Sequence, residues 1–309
     1  MKSILITIGI PAHNEEHNIQ RLLQSLCDQQ LNNLSMEIIV ISDSSSDSTV
    51  KNSLKIHDPR IQVINQIKRL GKNATLNKLL KQARGEIFIQ LDADVVPIGV
   101  NFLERLVEPI IQSQADLVAA HVLATKPKTI IEYLTSWGQA FRTVIYQELN
   151  NGDNIYLCYG RARAFSKKFY KKLRFPNECP EDSYSYLYLK KIQGKFLYQK
   201  NAQVYFRSPA SLSDYMHQST SFVAGKKALN QFFQPYIVTN EYKIPFVAYV
   251  QALGNCIMAD PVRTILGGLG YVSLTIFKKL FIHMPKRYTS KYTYLSTTKI
   301  TSENNDKIQ

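Results

Sequence analysis

The strongest indication of the fold is an alternation of apolar, β-branched runs with stretches of helical periodicity. The predicted strands are residues 3–10, 36–42, 61–64 and 86–91. Three predicted helices lie between them: the first covers residues 15–30, the second ends near residue 56, and the third runs from about residue 73 to residue 85. Strands that alternate with helices are joined by crossover connections, which build a mostly parallel sheet flanked by helices on both faces. The chain is therefore predicted to have an α/β fold. Residues 129–150 and 183–192 are further predicted helices, and residues 154–166 a further strand.

Charge is distributed unevenly along the chain. The net charge is +14 over 309 residues, yet residues 1–100 hold 11 Lys and Arg against 10 Asp and Glu. The excess lies in residues 101–309, with 27 basic and 14 acidic side chains, and its densest part is the tyrosine-rich stretch 161–207. The hydrophobic fraction of 45% is that of a globular protein and excludes disordered and collagen-like classes. The second part of the chain is expected to contact something anionic.

Cysteine usage and the N-terminus bear on the compartment. Cys27, Cys158, Cys179 and Cys256 form neither a C-x-x-C pair nor a zinc spacing, so no disulfide scaffold or structural zinc site is expected. The N-terminus is basic and then apolar, but without a small-residue cleavage site it is interpreted as a strand and not as a signal peptide. The expected location is the cytoplasm.

Two carboxylates follow the predicted strand 86–91. Asp92 and Asp94 stand at i and i+2, which places both side chains on the same side of an extended chain. Adjacent carboxylates repel each other unless a cation lies between them, and oxygen ligands suit Mg²⁺ or Mn²⁺. A D-x-D pair by itself is more often a solvated turn or a helix cap. Its position at the carboxyl end of an apolar strand, where ligands bind on parallel sheets, favours a metal site.

Other polar residues also follow predicted strands or begin helices. Asp43 follows strand 36–42 and could accept a hydrogen bond from a nucleobase or a ribose, or else cap the next helix. Pro11 and Glu15 follow the first strand in the same way. Gly71 and Lys72 open a helix, and a helix N-terminus with a lysine suits a phosphate. By itself this last motif is more typical of a surface lysine.

Glu181 and Asp182 form an acidic pair inside the basic stretch, between Pro180 and a predicted helix. Acidic residues at a helix start interact favourably with the helix dipole. A carboxylate close to a phosphate-rich ligand can instead act as a general base. Position alone leaves both interpretations open.

Two apolar stretches near the C-terminus, 244–259 and 264–277, precede Lys278, Lys279, Lys286 and Arg287. Each stretch is shorter than the ~20 residues that span a bilayer. An apolar segment beside basic residues is typical of a helix that lies at an anionic membrane surface. That interpretation is preferred here to a pair of buried core helices and to a true membrane span. The tail 289–309 is polar and is expected to be loose.

Four runs in the first third of the chain together resemble the family-2 glycosyltransferases. They are IGIPAHNEE (8–16), EIIVISDSSSDST (37–49), GKNATLN (71–77) and LDAD (91–94). The resemblance continues more loosely through GRARAF (160–165) and the acidic pair at 181–182, to about residue 225. It implies the GT-A fold, a nucleotide-diphosphate sugar as donor, a divalent metal and inversion at the anomeric carbon.

The resemblance also implies roles for the matched positions. The donor-binding set would comprise Pro11, Glu15, Asp43, Lys72 and Asp92, and the metal, Mg²⁺ or Mn²⁺, would be held by Asp94 with Asp92. Asp182 would deprotonate the acceptor hydroxyl, with Glu181 as its neighbour. Polymerising members carry Q-x-x-R-W after the base, but residues 218–222 read QSTSF, so a non-processive enzyme is expected.

These observations predict a GT-A domain over residues 1–235, with a nucleotide-sugar half (1–125) and an acceptor half (126–235). An apolar and basic helical extension (236–288) would follow. The predicted function is sugar transfer from a nucleotide-diphosphate donor, expected to be a UDP-sugar, to a lipid-linked acceptor or a cell-envelope glycan. The predicted place of action is the inner face of the cell membrane, on an anionic surface.

Two alternatives fit the sequence less well. A nucleotidyltransferase would need a glycine-rich basic loop after the first strand, where this chain has PAHNEE. The isoelectric point of about 9.5 could suit a nucleic-acid-binding protein. That class does not explain three carboxylate sites in the charge-balanced part of the chain, and no nucleic-acid partner is expected.

Overall fold

The computed structural model describes residues 3–281, in which strands and helices alternate. The strands are β1 (Ile4–Ala12), β2 (Leu34–Ser42), β3 (Ile61–Asn65), β4 (Ile87–Leu91), β5 (Val96–Pro97), β6 (Leu117–Ala124), β7 (Ala162–Ser166) and β8 (Phe196–Phe206). The helices are α1 (Ile19–Cys27), α2 (Thr49–Ser53), α3 (Lys72–Gln82), α4 (Phe102–Ile111), α5 (Ile130–Glu148), α6 (Lys167–Tyr170), α7 (Glu181–Lys191), α8 (Leu212–Leu229), α9 (Pro235–Glu241), α10 (Phe246–Ala259) and α11 (Pro261–Phe281).

All eight strands form one sheet in the order β3-β2-β1-β4-β7-β6-β8-β5. Strands β1 to β4 are parallel to their neighbours within that group, and β6 is parallel to β8. Strand β7 runs antiparallel to both β4 and β6, and β5 runs antiparallel to β8. Four of the seven pairings are parallel, so the mostly parallel α/β sheet with flanking helices is confirmed.

Two apolar layers cover the two faces of the sheet. On one face α1 and α4 bury Leu22, Leu23 and Leu106 against the isoleucines of β1. On the other face α3, α5 and α7 pack around Phe88 and Phe165. Near-continuous apolar strands require this double cover, and it leaves the strand ends as the exposed edge where a site can form.

One predicted strand is shorter than expected. Only residues 162–166 of the predicted stretch 154–166 form a strand. The preceding residues form turns, which buried Asn154 organises because its amide donates to the carbonyl oxygens of Tyr146 (2.7 Å) and Leu149 (2.9 Å). Strands β5, β6 and β8 and helices α4, α6 and α8 had no predicted counterpart. The three strands complete the sheet on the side that carries the second acidic pair.

The C-terminal helices α10 and α11 each present one face to α5 and leave another in solvent. Gly267 and Gly270 of α11 lie so close to Trp137 and Leu134 of α5 that a Cβ atom would collide with them. The opposite face exposes large apolar side chains, among them Met258, Leu266, Leu269 and Leu280. Within residues 3–281, no helix combines the length and the hydropathy needed to cross a membrane. Lys286, Arg287 and the tail 289–309 lie outside the described residues.

Candidate active site

Asp92 and Asp94 lie at the carboxyl end of β4, as the sequence predicts. The backbone N–H of Asp92 donates to the carbonyl of Arg161 (2.8 Å), which ties this turn to the residues before β7. Burial raises the pKa of Asp92 above its ordinary value; Lys72 opposes this rise, and the charge of Asp94 adds to it. The two carboxylates are therefore only partly compensated by positive charge.

This donor set fits a divalent cation. Within the described part of the chain, no group of three or more His, Cys, Asp or Glu side chains could hold a metal unaided. Asp92 and Asp94 supply carboxylate oxygens only, which are hard ligands. Mg²⁺ is typically held by one or two carboxylates together with phosphate oxygens of a substrate. A pair of carboxylates whose negative charge is only partly offset is what such a site requires from the protein.

Lys72 connects the two acidic groups of the site. It is the first residue of α3, and its Nζ lies 2.7 Å from Asp92 Oδ1 and 2.7 Å from Glu181 Oε1. Burial would lower the pKa of this ammonium group, but the two carboxylates raise it above its ordinary value. Lys72 is thus a half-buried ion-pair partner and not a surface lysine. Its contact with a donor phosphate stays a prediction.

Asp43, at the end of β2, is fully buried and holds a neighbouring loop. Its carboxylate accepts hydrogen bonds from the backbone N–H groups of Leu70 (2.7 Å) and Gly71 (2.8 Å) and from the Gln66 amide (3.1 Å). It does not cap α2, whose Thr49 N–H donates to Asp47 instead (3.0 Å). Direct contact with a nucleobase stays a prediction.

Pro11 and Glu15 lie at the same edge of the sheet. Pro11 is buried in β1 opposite Ile41 of β2. The Glu15 carboxylate accepts a hydrogen bond from the Asn18 amide (2.8 Å), and its backbone N–H donates to Thr49 Oγ1 (2.6 Å). The structure therefore brings the loop after β1 against the loop after β2, which is the arrangement expected of a nucleotide pocket at strand ends.

Glu181 and Asp182 begin α7 and differ in their surroundings. Glu181 is buried against Lys72; burial alone would raise its pKa, but Lys72 and Arg163 lower it below the ordinary value. Asp182 is half-buried, and its Oδ1 accepts from the Ser183 hydroxyl (3.1 Å). Burial, reinforced by Glu181, raises the pKa of Asp182, while Arg163 opposes the rise. Asp182 is therefore more basic than an ordinary aspartate, and Glu181 is less basic than an ordinary glutamate.

A cavity of about 150 Å³ adjoins this acidic pair. Its lining residues are Pro180, Glu181, Asp182, Ser183, Ser221, Phe222, Lys226 and Tyr242. Ser221 and Phe222 belong to the QSTSF segment, and Lys226 lies one turn further along α8. The Lys226 ammonium is 4.7 Å from the centroid of the Tyr242 ring. The cavity gives a second molecule access to Asp182 beside a positive charge.

Sequence reasoning missed Arg163, whose guanidinium contacts the start of the acidic pair at the carbonyl of Glu181. This arginine is fully buried in β7 and donates to Gln90 Oε1 (2.7 Å), Ser185 Oγ (2.6 Å) and the carbonyl of Glu181 (3.4 Å). The available signal was an arginine inside an otherwise apolar strand, because such a charge is buried only when hydrogen bonds hold it.

Arg21 of α1 was missed as well. Its guanidinium lies within electrostatic range of Asp94, and burial lowers its pKa while Asp94 opposes that change. Its Nε is buried without a hydrogen-bond partner among the described residues. No local pattern marked this residue, since it stands among the polar positions of an ordinary amphipathic helix.

The fold and the site together define an α/β protein with one carboxylate pair after β4 and a second at the start of α7. The model of the family "Glycosyl transferase family 2" matches residues 7–174, more than half of the chain. The chain belongs to this family, as its four N-terminal runs predict.

Curated relatives match over part of their length. The glycosyltransferase GlyA of Streptococcus pneumoniae is 24% identical over 191 residues, covering 58% of this chain and 27% of that protein. The WfgD protein of Escherichia coli, a UDP-Glc:alpha-D-GlcNAc-diphosphoundecaprenol beta-1,3-glucosyltransferase, is 31% identical over 113 residues, covering 37% and 44%. The chain spans between 26% and 40% of the length of the first three curated relatives it matches.

Solved structures confirm the GT-A fold. The mannosyltransferase PcManGT of Pyrobaculum calidifontis, in complex with GDP-Man and Mn²⁺, superimposes with a TM-score of 0.60 at 17% identity, over 91% of this chain and 83% of that one. Glucosyl-3-phosphoglycerate synthase of Mycobacterium tuberculosis, with Mn²⁺, UDP-Glc and phosphoglyceric acid, gives 0.53 at 18% identity, over 72% and 78%. At sequence identities this low, the structural similarity shows the fold of the chain and not its substrates.

Proposed function

We propose that this protein is an inverting, metal-dependent and non-processive glycosyltransferase. It transfers a sugar from a nucleotide-diphosphate donor, expected to be a UDP-sugar, to a hydroxyl of a lipid-linked or cell-envelope glycan acceptor. The observation that carries the proposal is that Lys72 joins the donor-side carboxylate Asp92 to the acidic pair on α7, with a cavity beside Asp182. The similar proteins support this substrate class, because they include a mannosyltransferase in complex with GDP-Man, a synthase in complex with UDP-Glc and a glucosyltransferase named for a diphosphoundecaprenol.

On the donor side, Pro11, Glu15 and Asp43 line the nucleotide pocket and Lys72 lies near the phosphates. Asp94 and Asp92 would hold Mg²⁺ or Mn²⁺, which supplies positive charge for the leaving diphosphate. Lys72 keeps Asp92 and Glu181 in fixed positions, because its ammonium group contacts both. Arg21 adds positive charge beside Asp94.

On the acceptor side, Asp182 is the general base. It takes the proton of the acceptor hydroxyl as that oxygen bonds to the anomeric carbon from the face opposite the leaving diphosphate. The bond between the anomeric carbon and the diphosphate oxygen breaks in the same step, so the configuration inverts. Glu181 is held by Lys72 and acts as a positioning residue, and buried Arg163 offsets the charge of the pair.

A donor screen tests this proposal. Thermal unfolding of the full chain is measured with UDP-, GDP- and dTDP-sugars, each with and without Mn²⁺, and the best donor is then assayed for release of its nucleotide. We expect one nucleotide sugar with Mn²⁺ to raise the Tm more than either component alone, because folded protein binds both together. If no nucleotide sugar shifts the Tm in the presence of Mn²⁺, the proposed function is wrong.

We also propose that α10 and α11 attach the enzyme to an anionic membrane surface. The exposed face of α11 carries Leu266, Leu269 and Leu280, and Lys278 and Lys279 follow on the same helix. Each basic residue near an anionic leaflet contributes ~1 kcal/mol, which salt screens. An apolar face combined with basic residues gives reversible, peripheral attachment.

The membrane proposal is tested by sedimentation with vesicles. We expect the full chain to pellet with phosphatidylglycerol vesicles at low salt and to be released partly at high salt. Leu266→Gln with Leu269→Gln should reduce pelleting without lowering the Tm, since these side chains are 63% and 66% exposed. Truncation before α11 is less informative because it would uncover Trp137 on α5.

Leu54→Gln is the matched control, since this leucine is 57% exposed at the end of α2 and belongs to neither C-terminal helix. It should pellet like the unmodified protein. If the unmodified chain ignores anionic vesicles at low salt, the basic surface does not serve a membrane.

A further inference from the structure

Two basic side chains outside the active site converge between α5, α8 and α11. Arg142 of α5 donates a hydrogen bond to the hydroxyl of Tyr271 on α11, and its guanidinium lies 5.5 Å from the centroid of that ring. Lys278, two turns further along α11, has its ammonium 5.8 Å from the centroid of the Tyr215 ring on α8. Burial lowers the pKa of Lys278, and the positive charge of Arg142 is one of the groups that lowers it further.

No carboxylate compensates these two charges within residues 3–281. None of the ion pairs formed there includes Arg142 or Lys278. The groups that act most strongly on the charge of Arg142 are tyrosine side chains, Tyr271 first and then Tyr146, Tyr159 and Tyr215. Partly buried positive charges without a counter-charge are unfavourable, so this arrangement fits an anion better than an empty state.

A buried hydroxyl at the same place also lacks a partner. Tyr215 is 6% exposed, and its hydroxyl makes no hydrogen bond with any described residue. A buried tyrosine hydroxyl normally finds a hydrogen-bond partner, and leaving one unpaired is unfavourable. The Tyr215 hydroxyl, the Lys278 ammonium and the N–H groups of Arg142 that do not contact Tyr271 thus offer hydrogen-bond donors to one region. A phosphate group, with several charged oxygens, suits such a set.

The location of this cluster connects it to the acceptor side. The hydroxyl of Tyr159 lies 3.4 Å from Oγ1 of Thr143, and Thr143 is the residue that follows Arg142 on α5. Gly160, which follows Tyr159, lies so close to Glu181 that a Cβ atom would be 2.7 Å from Oε1. On its other side, α11 exposes the apolar face described above. A short series of contacts therefore connects the cluster to the acidic pair of the active site, and α11 carries both Lys278 and the proposed membrane surface.

We propose that Arg142, Lys278 and the Tyr215 hydroxyl bind the phosphate or diphosphate group of a lipid-linked acceptor. This assignment rests on the proposed function for its acceptor role. An apolar chain on such an acceptor would lie along the exposed face of α11, while its sugar reaches Asp182. Bulk phospholipid head groups also carry phosphate, so the test has to distinguish the phosphate of an acceptor from that of a membrane lipid.

The test is a titration with geranyl diphosphate, a short apolar chain that carries a diphosphate, in the presence of EDTA. Calorimetry gives the affinity. The fluorescence of Trp137 reports the place of binding, because this is the single tryptophan and its ring lies 6.0 Å from that of Tyr271. We expect saturable binding and a change in Trp137 emission. EDTA removes the metal on which donor binding depends, so this result does not depend on nucleotide-sugar transfer.

Three variants decide the assignment. Lys278→Met and Tyr215→Phe should each weaken binding by about tenfold or more, since each removes a donor to a charged group. Tyr215→Phe should leave the Tm unchanged or raise it, because the hydroxyl it removes has no partner in the protein. Lys279→Met, the exposed neighbour with the same loss of charge, should bind as the unmodified chain does.

Two results would overturn the proposal. Equal affinity in all variants, or no binding at all, would mean that the cluster is not a phosphate site. Binding to phosphatidylglycerol vesicles that depends on Lys278 but without binding to geranyl diphosphate would assign the cluster to bulk head groups and not to the acceptor. A chain that binds geranyl diphosphate but no nucleotide sugar would disprove the proposed function and leave the phosphate site standing.

Discussion

Asp182→Asn is expected to lower kcat by ~10²–10⁴ while nucleotide-sugar affinity stays nearly unchanged, which is the usual contribution of a positioned general base. Asp182 is half-buried beside the cavity and makes no ion pair with Lys72. The asparagine keeps the shape of the side chain and can still accept from Ser183, but it cannot take a proton. The measurement is nucleotide release at saturating donor, with donor affinity determined by calorimetry.

The pH dependence of kcat provides a second readout of this assignment. Because burial and Glu181 raise the pKa of Asp182, the base is protonated and inactive at low pH. The kcat should therefore rise with pH and level off above an apparent pKa that is higher than that of an ordinary aspartate. The residual activity of Asp182→Asn should lack this rise.

Glu181→Gln is the matched comparison. It leaves Lys72 with one carboxylate partner in place of two, so we expect a loss of stability together with a smaller loss of kcat. If Glu181→Gln lowers kcat more than Asp182→Asn does at equal donor affinity, the general base is Glu181 and not Asp182.

Asp94→Asn is expected to abolish metal-dependent donor binding while the fold survives. We expect the gain in UDP-sugar affinity on adding Mn²⁺ to fall by at least ~10²-fold, since loss even of a residue that orients a metal ligand costs 10–100-fold. Asp94 is the cleaner target of the two aspartates because Asp92 also pairs with Lys72. The measurement is calorimetry of the best donor with and without Mn²⁺, alongside the Tm.

Asp28→Asn serves as the control for loss of one carboxylate. Asp28 is exposed at the end of α1, away from β4. It should leave both the affinity and its metal dependence unchanged. Unaltered UDP-sugar affinity of Asp94→Asn in Mn²⁺ would remove Asp94 from the metal site.

The elements predicted from the sequence are those whose pattern is local. Strands β1, β2 and β4 are continuous apolar runs, and α1 repeats leucine and isoleucine at helical spacing, so each signal lies within about ten residues. Strand β8 mixes Lys200 and Asn201 with buried positions, because part of it lies at the surface. It becomes a strand by pairing with β6 and β5, which are distant in sequence. Pairing of this kind overrides a weak local preference.

The same distinction applies to the site. The sequence by itself determined that Asp43, Asp92 and Asp94 stand at strand ends, because a parallel sheet brings the carboxyl ends of its strands to one edge. Only the tertiary structure decided that Lys72 bridges Asp92 and Glu181, which the fold brings from separate elements to one ammonium group. Such contacts depend on which helices pack on which face of the sheet, and no spacing along the chain encodes that.

The residues proposed to bind a phosphate group show most clearly that a site can depend on tertiary packing alone. Arg142, Tyr215 and Lys278 come from three helices spread over nearly half of the chain. Each is unremarkable in its own segment, where a basic or aromatic residue on a helix is usually a solvated or packed side chain. That the two cations have no carboxylate partner among the described residues and that the Tyr215 hydroxyl is unpaired appears only when α5, α8 and α11 are packed together, because burial and hydrogen bonding are properties of the folded chain and not of a sequence window.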